Sequence, residues 1–239
     1  MLRFCRFADR WFIPLALIVM LAFCPLELSA KEKKPKRSKK GMVKLDLELP
    51  LPMFMGTPKD LRSSNLETSE EFKTRPTILI PKGLENVARN KPVTSSDEEP
   101  IIGDVDFVTD GDKEGVDGSY VELGPRTQWV QIDLGQAHEV YAVAVWHFHS
   151  AASVYHDVII QVAGAPEFAD DVHTIFNNDH DNSSGLGIGE GKEYIETFKG
   201  RVIEAGGVSG RYVRLTSNGN TSNDQNHYVE VEVYARETK

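Results

Sequence analysis

The C-terminal two-thirds of the chain predicts an all-β fold, an antiparallel β-sandwich or barrel. Two observations carry this expectation. Trp129-Val130-Gln131-Ile132-Asp133-Leu134 alternates apolar and polar residues with the period of two that turns one strand face toward a core. Further runs rich in Val, Ile, Tyr and Trp then recur at short intervals, separated by Gly, Asn and Asp.

The chain opens with a predicted leader over residues 1–30. Arg3, Arg6 and Arg10 form a basic start, and Trp11 to Cys24 is a nearly unbroken apolar run, shorter than the roughly 18 to 20 apolar residues of a membrane span. Leu28-Ser29-Ala30 ends in small residues, so cleavage is expected after Ala30, and an uncleaved leader would act as an N-terminal anchor. After cleavage no transmembrane span is expected. Phe23 stands where a lipid-modified cysteine normally follows a small residue, which argues against lipidation of Cys24. These features predict a secreted, periplasmic or cell-surface protein. Cys5 and Cys24 are the chain's two cysteines and both lie in the leader, so disulfides, cysteine-zinc sites and cysteine nucleophiles are excluded from the mature chain. A thiol-free exported domain points to a bacterial exporter.

Residues 31–42 form a basic arm, with Lys31 to Lys40 carrying a net charge of +6 and almost no apolar surface, and are expected to be disordered. Residues 43–84 carry prolines at 50, 52, 58, 76 and 81 between short apolar runs. Proline donates no ladder hydrogen bond and extends the residue before it, so this stretch reads as an extended linker that lays at most one edge strand on the domain, without a helix. Residues 85–236 form the sandwich. Its strands are expected at Trp129 to Leu134, Glu139 to Phe148, Tyr155 to Ala163, Tyr194 to Phe198, Val202-Ile203, Arg211 to Leu215 and Tyr228 to Tyr234. Its one expected helical turn runs from Pro166 to Asp171.

The formal net charge of -9 conceals a body, residues 41–239, that carries -16. So acidic a surface repels phosphate backbones and excludes nucleic acid as a partner of the folded part, while it suits calcium.

Five segments occur in order: Asn86-Val87-Ala88 with Lys91 to Ser96, Val108 to Asp112, Trp129 to Gly135, Gly210 to Leu215 and Val229 to Tyr234. Together they resemble the discoidin, or coagulation factor 5/8 type C, domain, a branch of the galactose-binding-like jelly rolls that includes many bacterial carbohydrate-binding modules. The resemblance implies a jelly roll with a structural, non-catalytic calcium under the Asp110-Gly111-Asp112 loop. Its implied ligands are Asp110, Asp112, loop oxygens near Asp117 and Ser119, and Glu230. The cysteine pair that often clamps vertebrate members is missing, so their phospholipid-binding spikes are not carried over. Phe176 to Tyr194 is longer and more polar than the family pattern.

The residues themselves leave alternatives open at each site. A tight Asp-Gly turn aims carbonyls and carboxylates at one point, as calcium requires, yet solvated acids in an Asx turn give the same sequence. Asp179, Asp181, Ser183 and Glu190 fall at positions 1, 3, 5 and 12 of a calcium-hand loop, but Ser184 occupies the glycine position and no flanking helices are expected. That loop is expected to serve as one wall of the ligand site. His147, His149 and His156, beside Trp146, Phe148 and Tyr155, suit a transition metal, the rim of a sugar pocket, or ordinary packing. Tyr120, Glu122 and Arg126, with Asn218, Asn220, Asn223 and Asn226, sit in loops whose side chains match sugar hydroxyls or simply make turns.

No nucleophile elbow, phosphate loop or His-Glu-x-x-His motif is present. The sequence therefore predicts a non-catalytic module that binds a glycan or cell-surface polysaccharide through loops at one end of a calcium-stabilised sandwich. The alternative is attachment to another envelope protein without sugar binding.

Overall fold

The computed structural model describes residues 41–53 and 61–238. The leader expected over residues 1–30 and the basic run Lys31 to Lys40 lie outside the described residues. In chain order the elements are β1 (Met42–Lys44), α1 (Ser69–Lys73), β2 (Leu79–Pro81), β3 (Glu85–Asn86), β4 (Val93–Ser95), a 3₁₀ turn (Val105–Thr109), β5 (Val121–Leu123), β6 (Thr127–Trp146), β7 (Ile159–Ala163), β8 (His173–Asn177), β9 (Arg201–Asn218), β10 (Asn226–Tyr228) and β11 (Glu230–Glu237).

The two long strands β6 and β9 build the sandwich. Thr127 to Asp133 of β6 pairs antiparallel with Tyr212 to Asn218 of β9 and with β4, whereas His138 to Trp146 pairs with Arg201 to Gly210 and with β11. The register breaks between Asp133 and His138, where Gly135 adopts φ +88°. Such a break bends both strands, so one hydrogen-bonded ladder contributes to both layers. β7 and β8 extend the first layer from β9, and β3 closes the edge of the second beyond β11. Val130, Ile132, Leu134, Ile160, Val213 and Leu215 of the first layer meet Val143, Val145, Val231 and Val233 of the second in one buried core. The antiparallel β-sandwich expected from the alternation is the observed fold.

Val140 to Trp146 is buried at every position, which a strand with one solvated face would not be. Leu45, Ile78, Ile80 and Leu84 cover Tyr141 and Ala142 on the outer face, and Leu47 packs with Ala144 and Trp146. Much of the expected linker is therefore part of the packed structure. β1 pairs with β2 as a separate two-stranded sheet instead of lying on the edge of the main one. A helix also forms where none was expected. At α1, Thr68 accepts from the Glu71 N–H at 3.2 Å and Glu71 accepts from the Thr68 N–H at 2.7 Å. This capping box satisfies two orphan donors and outweighs the proline-rich context.

Two smaller expectations are corrected and one further strand is found. Pro166 to Asp171 forms a single turn, with Phe168 and Asp171 at φ 54° and 50°, incompatible with a right-handed helix. Arg214 holds it there by stacking on Phe168 and donating to the Pro166 carbonyl. Tyr194 to Phe198 is not a strand; Ile195 makes one isolated bridge to Val154. β8 was not foreseen, because an edge strand with only Ile175 and Phe176 against the core leaves a weak pattern.

Gly210 marks a close approach between β9 and β7. A Cβ there would stand 2.4 Å from Val162 Cγ1 and 2.8 Å from the Ala163 carbonyl oxygen. Gly210→Ala is expected to cost about 1–3 kcal/mol of stability, measurable by urea unfolding; an unchanged midpoint would show that the two strands separate freely.

Candidate functional site

Loops at one end of the sandwich, together with the segment before α1, line an open cavity of about 290 Å³. The β6–β7 connection supplies His156 and Asp157, the β8–β9 connection supplies His180, Asp181, Ser183 and Glu193, the end of β9 supplies Asn218, and the upstream segment supplies Ser63 and Ser64. Hydrogen bonds fix these groups against one another. Asp157 Oδ2 accepts from Ser183 Oγ at 2.6 Å and from Asn218 Nδ2 at 2.8 Å. His156 Nδ1 meets Glu193 Oε1 at 2.7 Å, and His180 Nε2 meets Ser64 Oγ at 3.3 Å.

The upstream segment is stapled down. Asn65 Nδ2 donates to the carbonyls of Asn178 and Gly191, its Oδ1 accepts from Lys192 Nζ, and Leu66 bridges to Glu193. Glu67 then pairs with Arg75 and Arg201 in a largely buried setting. Ser63 and Ser64 are thus held as a wall of the cavity.

The cavity is acidic. Asp157, Asp179 and Asp181 each bring one carboxylate oxygen within 4.8 Å of the others, an arrangement that can hold a metal ion. Asp157 and Asp179 are buried and Asp181 is exposed. Hydrogen bonding from Ser183 holds the Asp181 carboxyl below its ordinary value. The hydrogen bond to Glu193 raises the His156 imidazole above its ordinary value, against the opposing effect of burial. Of the calcium-hand pattern, Asp179 and Asp181 come together, Asp157 joins them from another loop, and Glu190 stays exposed outside the group.

The residues expected to line a sugar site are divided. Asn218 is in the cavity wall, and Arg126 is exposed on its loop. Asn220 is buried and makes turn bonds to Ser222, Asn223 and Gln225. Tyr120, His147, His149 and Tyr155 are buried as well. His147 Nδ1 lies 2.6 Å from Glu196 Oε1 and stacks on Tyr155 at 4.4 Å, while His149 Nε2 bonds the Lys113 carbonyl at 2.8 Å. Glu122, His227 and the Tyr155 hydroxyl form a chain with steps of 3.0 and 2.8 Å, and burial drives the Tyr155 phenol far above its ordinary value. The histidine trio does not converge: among the described residues the metal-capable group is the aspartate one. Asp157, His180, Glu193, Ser63 and Ser64 were missed. The adjacent His156-Asp157 pair is the sequence signal nearest to them.

At the Asp110 loop, the Gly111 N–H donates to Glu230 Oε2 at 2.9 Å, and Asp112 Oδ2 accepts from Ser119 Oγ at 2.7 Å. Asp110 and Asp112 cap N–H groups of their own turn, and Asp117 is exposed. Glu230 is fully buried and its Oε1 has no hydrogen-bond partner. Burial, with repulsion from Glu232 and Asp110, pushes its carboxyl up to about 8. The Arg89 guanidinium lies directly against Gly111.

No family model matches the chain, and no curated protein matches it. Solved structures similar to it include the CBM32 of AlyQ in complex with 4,5-unsaturated mannuronic acid, at 21% identity, with 60% of this chain and 93% of that one covered and a TM-score of 0.44. A fucose-binding module of Streptococcus pneumoniae, SpX-3, matches at 20% identity over 64% of this chain and 100% of that one, with a TM-score of 0.45. Chitosan-binding module 1 of a chitosanase/glucanase from Paenibacillus sp. IK-5 matches at 21% identity over 63% and 98%, with a TM-score of 0.42.

Proposed function

We propose that this chain is an exported, non-catalytic module that binds a saccharide in the loop-end cavity, on a sandwich stabilised by calcium under the Asp110 loop. The observation that carries the reading is the cavity: about 290 Å³, suited to one or two sugar rings, and lined by serine hydroxyls, imidazoles, an amide and carboxylates that suit sugar hydroxyls. The five ordered segments that resemble discoidin domains support the same class. Among the described residues no helix is long and apolar enough to cross a membrane.

The unpartnered Glu230 Oε1 fits a calcium site, because a buried carboxylate oxygen without a donor lacks the compensation a cation would supply. Asp110 is near enough to Glu230 to repel it and Asp112 accepts from Ser119 Oγ, but these carboxylates do not converge as the Asp157, Asp179 and Asp181 group does, so a calcium ion here would have to draw them in. When bound, the ion supplies charge neutralisation and holds the loop; it takes no part in a reaction.

A glycan array probed with the full chain is expected to give binding that free monosaccharide blocks. Asn218→Ala and His156→Ala are each expected to weaken that binding about tenfold. Absence of binding to every glycan class would overturn the reading and favour attachment to an envelope protein.

A further inference from the structure

Each of the nine residues that line the cavity is polar: serines, histidines, acids and one asparagine. A pyranose offers more than hydroxyls. Its ring C–H groups form apolar faces, and small-molecule sites cover such faces with aliphatic or aromatic side chains beside a few polar groups. The lining supplies the polar half of that pairing alone.

An apolar surface stands on the adjoining loop. Between Ser183 and Glu193, both in the lining, the β8–β9 connection displays Leu186 at 47% and Ile188 at 72% exposure. The backbone beneath them is tied down. The Gly187 N–H donates to Asn182 Oδ1 at 2.7 Å, the Gly187 carbonyl accepts from Asn177 Nδ2 at 2.9 Å, and the Gly189 N–H donates to the Asp179 carbonyl at 2.7 Å. A Cβ at Gly189 or Gly191 would collide with the Asn177 carbonyl, so the loop is pressed onto the end of β8. Leu186 is also linked to the cavity side: its N–H donates to Ser184 Oγ at 3.2 Å, and that hydroxyl donates to Asp179, beside Asp157 and Asp181. A loop so held exposes two large aliphatic side chains at a standing cost in apolar hydration, which an occupant would recover.

We propose that Leu186 and Ile188 form an apolar subsite on the rim of the cavity, and that the saccharide it serves is an oligosaccharide: one ring enters the cavity and the next lays a C–H face on these two side chains. The proposal rests on the cavity being a saccharide site. The cavity is open and has room for one or two rings, so a longer chain continues past its rim. Continuity decides for a sugar as the occupant, because the connection that carries the apolar pair is the one that supplies Asp181, Ser183 and Glu193 to the lining.

Affinities of the full chain for matched monosaccharides, disaccharides and tetrasaccharides, read on a printed array and then by calorimetry for the best-bound series, test the subsite. The wild-type chain is expected to bind the oligosaccharide about tenfold more tightly than its terminal monosaccharide. The double variant Leu186→Ser, Ile188→Ser is expected to lose about tenfold for the oligosaccharide and less than about twofold for the monosaccharide. Its melting midpoint is expected to stay at the wild-type value, because both side chains are exposed. The exchange Leu186→Ile, Ile188→Leu keeps the aliphatic surface and is expected to keep oligosaccharide binding. Undiminished oligosaccharide affinity in the serine variant, or an equal loss for both sugars, would overturn the subsite and leave the cavity a saccharide site. A wild-type chain that binds no saccharide would overturn the cavity reading and the subsite with it, before any variant is made.

Discussion

In EDTA at pH 8, Glu230→Gln is expected to melt higher than the wild-type chain, by an amount of the order of 10 °C, and millimolar calcium is expected to remove most of the difference. The carboxyl of Glu230 is pushed from an ordinary 4.5 to about 8 in the folded protein. The folded state therefore holds this proton more tightly than the unfolded chain. Its contribution to stability is fully present below pH 4.5 and is lost as pH rises through about 8. A shift of that size corresponds to several kcal/mol, and one kcal/mol moves the midpoint of a domain this large by about 2–4 °C. Glutamine keeps the acceptor for the Gly111 N–H and carries no charge to bury. On the proposed calcium site, the ion would neutralise the charged wild-type carboxylate, so calcium is expected to raise the wild-type melt by more than it raises the variant's. Melts in EDTA at pH 5 and pH 8 complete the test: the gap between the two proteins should be small at pH 5. Equal melts at pH 8 without calcium would show that Arg89, or water, already compensates Glu230.

His147→Ala is expected to destabilise the fold by about 3–5 kcal/mol, a drop of roughly 10 °C in the melting midpoint. Its imidazole is fully buried, bonds Glu196 and packs between Tyr155 and Tyr228 at 4.4 and 4.9 Å. Truncation leaves a cavity and strands the Glu196 carboxylate, which is 1% exposed, without its partner. Glu196→Gln keeps an acceptor at the same place and is expected to cost less. A His147→Ala protein that melts with the wild type while losing saccharide binding would return this histidine to the ligand rim.

The sandwich was legible because its chemistry is local: the alternation of Trp129 to Leu134 names a strand with one inward face. The continuous apolar stretch Val140 to Trp146 was read correctly as a strand, but its lack of alternation also meant that the outer face is covered. The cover comes from Leu45, Leu47, Ile78 and Ile80, in a stretch whose prolines suggested a linker. Thr68 to Glu71 carried a capping box in plain view, and the proline context hid it.

The site was less legible. Asp179 and Asp181 announced themselves by spacing, yet their third partner, Asp157, joins them only through the fold. Ser63 and Ser64 have no local signal at all. His147 and His149 misled because a strand end that points inward and one that points to solvent have the same sequence.

The staple at Asn65 gives assembly of the cavity an order. Asn65 and Gly191, which it hydrogen-bonds, are separated by 126 residues. At ribosomal speeds of about 5 to 20 residues per second, the upstream segment is made roughly ten seconds before the loop that receives it. Long-range closure of this kind comes late, after the two layers exist to dock against. The cavity wall at Ser63 and Ser64 is therefore among the last parts of the molecule to take its place, and a chain begun at residue 85 would fold, if it folded, around an unroofed hollow.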